Sequence, residues 1–313
     1  MRVDPRQDQV TRTRLVPAID AILARLHEHR LEVDREFQQR GAAVSPDFPV
    51  VVGEPSLASY PIGFCRQIRD RVWERALADE EFRALIGHDV ILKKVFILLK
   101  GQYFQNAVQV GNLYVDVGND TVWTEKPKLE WAPVADVEFE NVDEWPRFNE
   151  VARRYLRVEL YPNRLFPLGF AAAPFFAIRP NGRIDLFFAQ DIIFLKDLGE
   201  GMRRARALLA DEAFAARRLP EVYENLLRRA CGANLLSAFP LEFAPAEPAA
   251  IRDGPVAEFV ALGGQPPKQA LGIVDRYLRL MVEATRRLTH FNLVPSASEL
   301  AELRAAGAIP AAS

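Results

Sequence analysis

The spacing of apolar residues predicts helices at both ends of the chain and strands between them. Apolar residues recur every three or four positions between Pro17 and Gln39, which predicts a long amphipathic helix that stops at Gly41. The same period predicts further helices over 62–78, 80–86, 142–156, 198–210, 219–231, 268–289 and 296–306. An apolar run within 91–99 predicts a strand that is buried on both faces. Strands grouped between helical ends are typical of an α+β fold.

Two stretches have the pattern of β-hairpins. Gly111-Asn112 and Asn181-Gly182 are two-residue turns between apolar runs, and these residue types tolerate the positive φ that such turns require. Pairing across the first turn sets Val108 opposite Val115 and Ala107 opposite Asp116. Because residues two apart share a face of a strand, one face is predicted to present Gln105, Ala107, Gln109, Tyr114 and Asp116.

The segments without periodicity are predicted to be connections. Residues 1–14 are polar and are expected to fray, 119–142 are expected to form a long surface connection, and the proline- and glycine-rich 240–267 are expected to form a linker. The chain is therefore predicted to contain an N-terminal helix at 1–43, an α+β core at 44–240 and a helical C-terminal segment at 241–313.

Composition indicates an ordinary soluble protein. The 313 residues are 49% hydrophobic and 26% charged, and the net charge of −2 provides no overall attraction to nucleic acid or to an anionic membrane. Two cysteines do not make a disulfide framework. The chain opens on polar residues and has no apolar run of about 20 residues, so we expect a cytoplasmic protein that neither binds nucleic acid nor enters a membrane.

Cys65 is the first candidate for chemistry. The sequence around it places the thiol in the first turn of the helix predicted over 62–78, where the amide donors and the helix dipole favour a thiolate. Arg66 and Arg69 act in the same direction, and Gly63 leaves room for the backbone of a substrate. The alternative is a buried structural cysteine, since free cysteine is among the most buried residue types.

A cysteine at the start of a helix, followed by a strand and by a hairpin that contains an aspartate, resembles the transglutaminase-like superfamily and the related arylamine N-acetyltransferases. Gly111-Asn-Leu-Tyr-Val-Asp116 is similar to the Gly-x-Trp-Tyr-x-x-Asp strand of these families, with one residue fewer. The resemblance covers 56–120. It implies a papain-like core with an antiparallel sheet, flanked here by the terminal helices, in which Cys65 is the nucleophile and Asp116 orients a histidine.

The family histidine is missing. Its position falls between Gln102 and Gln105, where spacing favours Gln102 and the shared face favours Gln105. An amide cannot take a proton from a thiol near neutral pH. Candidate catalytic positions are therefore Cys65, Gln102, Gln105 and Asp116, and candidate substrate-binding residues are Tyr103, Gln109 and Tyr114.

Other chemistry has little support in the sequence. The four histidines, His27, His29, His88 and His290, are expected to be surface or hydrogen-bonded core residues rather than catalytic bases. Neither a metal-ligand spacing nor a phosphate-binding loop is present, so no metal and no cofactor are predicted. Asp197 and Glu200 are expected to cap a helix, and the phenylalanines between 166 and 194 are expected to fill the core.

Two hypotheses for function follow from these patterns. The first is a non-catalytic or strongly altered transglutaminase-like protein that binds a peptide, an acyl group or a protein partner in a cleft between Cys65 and Asp116. The alternative is a thiol-dependent acyl or amide transferase with Cys65 as its nucleophile. The amphipathic helix near the N-terminus also permits a homo-oligomer.

Overall fold

The computed structural model describes residues 1–41, 60–187, 191–232, 243–262, 267–291 and 293–311. Its contacts divide the chain into two compact units, Met1–Val142 and Asp143–Ser313. The division therefore lies at 142 rather than near 43 and 240, because the first long helix packs on the hairpin of the first unit. The α+β class is confirmed. Each unit contains an antiparallel sheet, of five strands in the first and three in the second.

The first unit places three helices against one face of its sheet. The helices are α1 (Ile19–Gln39), α2 (Cys65–Ala78) and α3 (Glu80–Ile86), and all three were predicted. The strands are β1 (Leu92–Leu99), β2 (Tyr103–Val110), β3 (Leu113–Asp116), β4 (Glu130–Pro133) and β5 (Phe139–Asn141), and they lie in the order β4-β3-β2-β1-β5. Residues 42–59, which include part of the segment resembling transglutaminases, lie outside the described residues.

The predicted hairpin register is confirmed. Val110 pairs with Leu113, Gln109 with Tyr114, and Val108 with Val115. Gly111 has φ of +59°, as the tight turn requires. The valines of this hairpin face the helices and form the main core with side chains of α1 and α2. A smaller cluster on the opposite face contains Val95, Ile97, Ala107, Tyr114 and Val134.

Residues 1–15 do not fray, and that prediction was wrong. They form short helical turns, and their polar side chains bind the turn between β2 and β3. The Asn112 amide accepts from the Asp4 N–H at 2.8 Å and donates to the Asp4 carbonyl at 2.9 Å, while the Asn112 N–H donates to Thr11 Oγ1 at 3.0 Å. A polar composition does not distinguish residues that bind a turn from residues that face water.

The prediction of a surface connection at 119–142 was also wrong, because this segment contains both edge strands. β4 pairs with β3 from Leu113–Pro133 to Asp116–Glu130, and β5 pairs with the other edge of the sheet at Leu99–Phe139. Both strands are short, and prolines and charges interrupt them. These are common features of edge strands and conceal the alternation that predicts a strand.

The second unit begins with α4 (Trp145–Tyr155) and a sheet in the order β6-β7-β8, formed by β6 (Glu159–Pro162), β7 (Phe175–Ile178) and β8 (Ile184–Phe187). The predicted turn at Asn181-Gly182 joins β7 to β8, and Gly182 has φ of +82°. The helices that follow are α5 (Asp191–Gly199), α6 (Arg203–Ala210), α7 (Glu212–Ala216), α8 (Glu221–Gly232), α9 (Pro248–Ile251), α10 (Ala257–Leu262), α11 (Pro267–Phe291) and α12 (Ala297–Ala305).

Three predictions for this unit concern helix capping, the linker and the phenylalanine core. The Asp197 carboxylate accepts from the N–H groups of Arg204 and Ala205, so it caps α6, whereas Glu200 pairs with Arg204 at 2.8 Å. The linker predicted at 240–267 contains α9 and α10 in its described part, because Pro248 starts a helix rather than breaking one. The expected phenylalanine core is confirmed for Phe166, Phe170, Phe175, Phe176 and Phe194, while Phe188 lies outside the described residues.

Among the described residues, no helix combines the length and the apolar character needed to cross a bilayer.

A buried arginine joins α1 to the end of β3. Arg30 is 0% exposed, and its guanidinium donates to Asp34 at 2.8 Å, to both oxygens of Asp120 at 2.8 and 3.0 Å, and to the Val117 carbonyl at 2.8 Å. Burial opposes its charge, but the hydrogen bonds and the charge of Asp120 outweigh that cost and raise the pKa of Arg30. Lys128 pairs with both aspartates.

We expect Arg30→Ala to lower the free energy of unfolding by about 3–5 kcal/mol, because the change leaves buried carboxylates without their main partner. Urea denaturation measures the effect. The matched control is Arg71→Ala, since Arg71 pairs with Glu74 on an exposed surface of α2, and that change should cost less than about 1 kcal/mol. Equal losses for the two variants would contradict the structural role of Arg30.

Candidate functional site

Cys65 is the first residue of α2, as predicted, and its thiol is partly exposed. The Asn106 side chain on β2 donates from Nδ2 to Cys65 Sγ at 3.3 Å. Asn106 is only 6% exposed, and its Oδ1 is buried with no hydrogen-bond partner in the structure described. A buried amide oxygen without a donor is costly, so this oxygen marks a position where a donor from a ligand or from water would be favourable.

Two glycines lie next to Cys65. A Cβ atom at Gly118 would stand 3.2 Å from Cys65 Cα and 3.4 Å from Cys65 Cβ, so any side chain there would press on the cysteine. Gly63 has φ of +74°, and its N–H donates to the Thr121 carbonyl at 2.9 Å. The start of α2 is thereby attached to the loop that follows β3.

A cation lies one helical turn beyond the thiol. Arg69 is 7% exposed, donates to the Val95 carbonyl at 3.1 Å and pairs with Asp70 at 2.9 Å. Burial lowers the pKa of Arg69, and the negative charges of Asp70 and Cys65 oppose that shift. Arg69 follows Cys65 by four residues, so it lies on the same side of α2, one turn from the thiol.

Asp116 lies on the opposite face of the sheet and is 2% exposed. Its carboxylate accepts from the Gly118 N–H at 2.8 Å, from the Tyr114 hydroxyl at 3.1 Å and from Gln105 Nε2. Burial raises the pKa of Asp116 to about 6, although these three hydrogen bonds act in the other direction. Gln105 Oε1, like Asn106 Oδ1, is buried without a partner in the part of the chain described.

Cys65 and Asp116 therefore do not face one another. Asn106 and Gln105 are neighbours on β2, so their side chains point to opposite faces, and each binds one of the two acidic groups. The predicted cleft between Cys65 and Asp116 is replaced by two polar sites, separated by the strands. We call the first, Cys65 with Asn106, Arg69 and the two flanking glycines, the thiol site. The second, Asp116 with Gln105 and Tyr114, is the carboxyl site.

The other predicted residues lie outside the thiol site. Gln102 is exposed in the turn between β1 and β2. Gln109 is fully buried and donates to the carbonyls of Arg2 and Gly111 at 2.8 Å, which is a structural role. Tyr103 is half-buried, and burial together with the charge of Asp116 raises its pKa, so it belongs near the carboxyl site.

Sequence reasoning missed Asn106 and Gly118. The sequence did contain the information needed to place Asn106. It lies two residues before Val108 on β2, so both side chains point to the same face, and Val108 packs in the core beneath the helices. Gly118 gave no such signal, since its close approach to Cys65 depends on the packing of α2 against the end of the hairpin.

The histidines of the first unit lie away from the thiol site. His29 Nε2 lies 2.9 Å from the Asp79 carboxylate, which follows the last residue of α2, about 20 Å along the helix from Cys65. His88 is exposed beyond α3, and His27 is exposed on α1. His290 belongs to the second unit, and its side chain lies outside the described residues. The described residues also contain no cluster of three or more His, Cys, Asp or Glu that could hold a metal ion.

Comparison of the chain with protein-family models, with curated proteins and with solved structures found no match. The transglutaminase-like resemblance stays a prediction that depends on the short motifs between 56 and 120.

The carboxyl site predicts a pH dependence of stability. Asp116 holds its proton more tightly in the folded protein, with a pKa of about 6 against an ordinary value of 3.8. Between these values the folded state binds more protons than the unfolded state, so the stabilisation from this group is complete below about pH 3.8 and is lost as the pH rises through 6.

We therefore expect the stability of Asp116→Asn relative to the wild type to rise by about 2–2.5 kcal/mol between pH 4 and pH 7. Urea denaturation at both pH values measures the difference. Asp136→Asn, which changes an exposed carboxylate, is the control and should show almost no change. A relative stability of Asp116→Asn that is flat across this range would mean that Asp116 is not a buried acid.

Proposed function

We propose that the first unit is a non-catalytic, transglutaminase-like binding module that receives a peptide at the thiol site. The observation that supports this proposal best is the partner of Cys65: an amide, Asn106, faces the sulfur where catalysis needs a base. The papain-like arrangement of a cysteine helix against an antiparallel hairpin is part of the same proposal.

The carboxyl site cannot supply the missing base. The Asp116 carboxylate is directed to Gln105 and Tyr114 on the far face of the strands and to the amide of Gly118, which follows β3. General-base catalysis requires a group within hydrogen-bond reach of the proton that it removes, or linked to it by one water. The histidines of the first unit do not meet this requirement either, given where they lie.

Among the ligands that the sequence predicted, a peptide fits the thiol site best. Asn106 Oδ1 is buried without a donor among the described residues. A peptide that displaces the side chain far enough to reach it supplies N–H groups, whereas the hydrocarbon of an acyl chain supplies none. Gly63, two residues before Cys65, has no side chain to obstruct an approach to the start of α2. A protein partner that presents an extended segment would satisfy the same requirement.

The alternative, a thiol-dependent acyl or amide transferase, is favoured by one specific observation. Asn106 Nδ2 donates to Cys65 Sγ at the start of a 14-residue helix, and Arg69 lies one turn away. These three features stabilise a thiolate, which is the nucleophilic form. Such an enzyme would still require a proton donor for the leaving group.

Selection from a displayed library of extended peptides on the immobilised full chain tests the proposal. We expect peptides that bind the wild type and Cys65→Ala alike, since binding needs the site but not the thiol. The same peptides should bind Asn106→Leu at least about tenfold more weakly, because the change removes the acceptor and leaves a peptide donor unpaired. Gly118→Ala should also weaken binding, because its Cβ would press on Cys65.

Gly199→Ala is the matched control, because a Cβ at Gly199 meets no atom within 4 Å. Peptides that bind Asn106→Leu as tightly as the wild type would contradict the proposed site. Peptides that require the Cys65 thiol and form a covalent adduct with it would favour the transferase instead.

A further inference from the structure

The thiol site and the carboxyl site meet at two adjacent points of the backbone. Asp116 accepts from the side chain of Gln105, and the next residue on β2, Asn106, contacts Cys65 Sγ. Asp116 also accepts from the N–H of Gly118, which lies against Cys65 Cα. One buried carboxylate thus holds both of the segments that contact the cysteine from the sheet side.

The two amides of β2 present the same group to their partners. An amide presents a donor to an anion and, after turning over, an acceptor to an acid O–H or S–H. Gln105 and Asn106 both present their NH₂ groups, to Asp116 and to Cys65, and both keep a buried carbonyl oxygen without a donor. An NH₂ donor suits the carboxylate of Asp116, and it suits the sulfur of Cys65 as a thiol or as a thiolate, since both accept.

We infer that Asp116 is a positioning residue for Cys65, which it restrains from the opposite face of the sheet by holding Gly118 in place and by opposing a second negative charge at the thiol. The inference deepens the proposed peptide site and rests on it. Cys65 stays weakly reactive while Asp116 is ionised, so the site can hold a peptide without attacking it.

The electrostatic part follows from burial. Asp116 and Cys65 contact the same residue, Gly118, Asp116 through its N–H and Cys65 through close packing. Two anions on either side of one glycine repel, so ionisation of one disfavours ionisation of the other. The groups that face Asp116 do not cancel this repulsion. Tyr103 on β2 and Tyr114 on β3 are neutral acids whose pKa values are raised, and Glu130, paired with Asp116 on β4, adds negative charge. On the thiol side, Arg69 is already paired with Asp70.

Alkylation by iodoacetamide, followed residue by residue with mass spectrometry between pH 5 and pH 8.5, tests the inference. Asp116→Asn keeps an acceptor for the Gly118 N–H and a partner for Gln105 but removes the charge. We expect it to alkylate Cys65 about 3- to 10-fold faster than the wild type at pH 7.5. In the wild type, the logarithm of the rate should rise with a slope below one near pH 6, where Asp116 ionises. In the variant the slope should be one.

Cys231 on α8, in the second unit, is the internal reference, and its rate should be unchanged. Asp136→Asn is the charge control and should match the wild type. Identical Cys65 profiles for Asp116→Asn and the wild type would overturn the inference, and so would equal acceleration of both cysteines, which would indicate general loosening. A slope of one through pH 6 in the wild type would also overturn the inference, and this measurement does not require the variant to fold.

No peptide is present in these measurements. Failure of the peptide selection with a positive alkylation result would therefore reject the proposed function and leave the role of Asp116 standing, and the reverse pair of results would reject only the role of Asp116.

Discussion

The candidate site depends on a buried charge. Arg30 lies in the core of the first unit with no exposed surface, and its guanidinium donates to Asp34 on α1 and to Asp120 and the Val117 carbonyl after β3. A guanidinium in such a place is tolerable only when its donors are satisfied, so α1 cannot slide or rotate against the hairpin without exposing unpaired charge. The loop after β3, which includes Gly118 and Thr121, is fixed by the same contacts, because Val117 and Asp120 belong to it.

That constraint reaches the cysteine through the backbone. Thr121 accepts from Gly63 just before α2, and Gly118 packs on Cys65 itself. The first turn of α2 is therefore placed by a loop that Arg30 holds, and Asn106 approaches the thiol from β2. The result is a thiol beside an amide and a cation, separated from the buried acid by the strands. Such an arrangement can bind a hydrogen-bond donor and can stabilise a thiolate.

The sequence predicted the local structure of this unit well and its site poorly. The hairpin register followed from Gly111-Asn112 and from the valines, and the place of Cys65 in the first turn of a helix followed from helical periodicity, although that helix begins at Cys65 rather than at 62. Both depend on residues close in the chain. The sequence did not predict which face of the sheet Cys65 contacts. A motif gives the order of Cys65 and Asp116, but only the packing of α2 on the Asn106 face decides which strand residue meets the sulfur. The sequence also failed to predict the contacts of residues 1–15 and the strands β4 and β5. These segments are short or polar, and their structure depends on partners that are distant in the chain.

The central claim is that the Cys65 thiol contacts Asn106 on one face of the sheet, whereas Gln105 and Asp116 lie on the other face. Double-mutant cycles on the free energy of unfolding test it most directly, with Cys65→Ala combined with Asn106→Ala in one cycle and with Gln105→Ala in the other. Groups in contact couple, whereas groups without shared partners are additive. The account predicts a coupling of about 0.5–1 kcal/mol for Cys65 with Asn106 and a value within about 0.3 kcal/mol of zero for Cys65 with Gln105. Coupling to Gln105 without coupling to Asn106 would contradict the account, because it would place the thiol on the face of the buried acid.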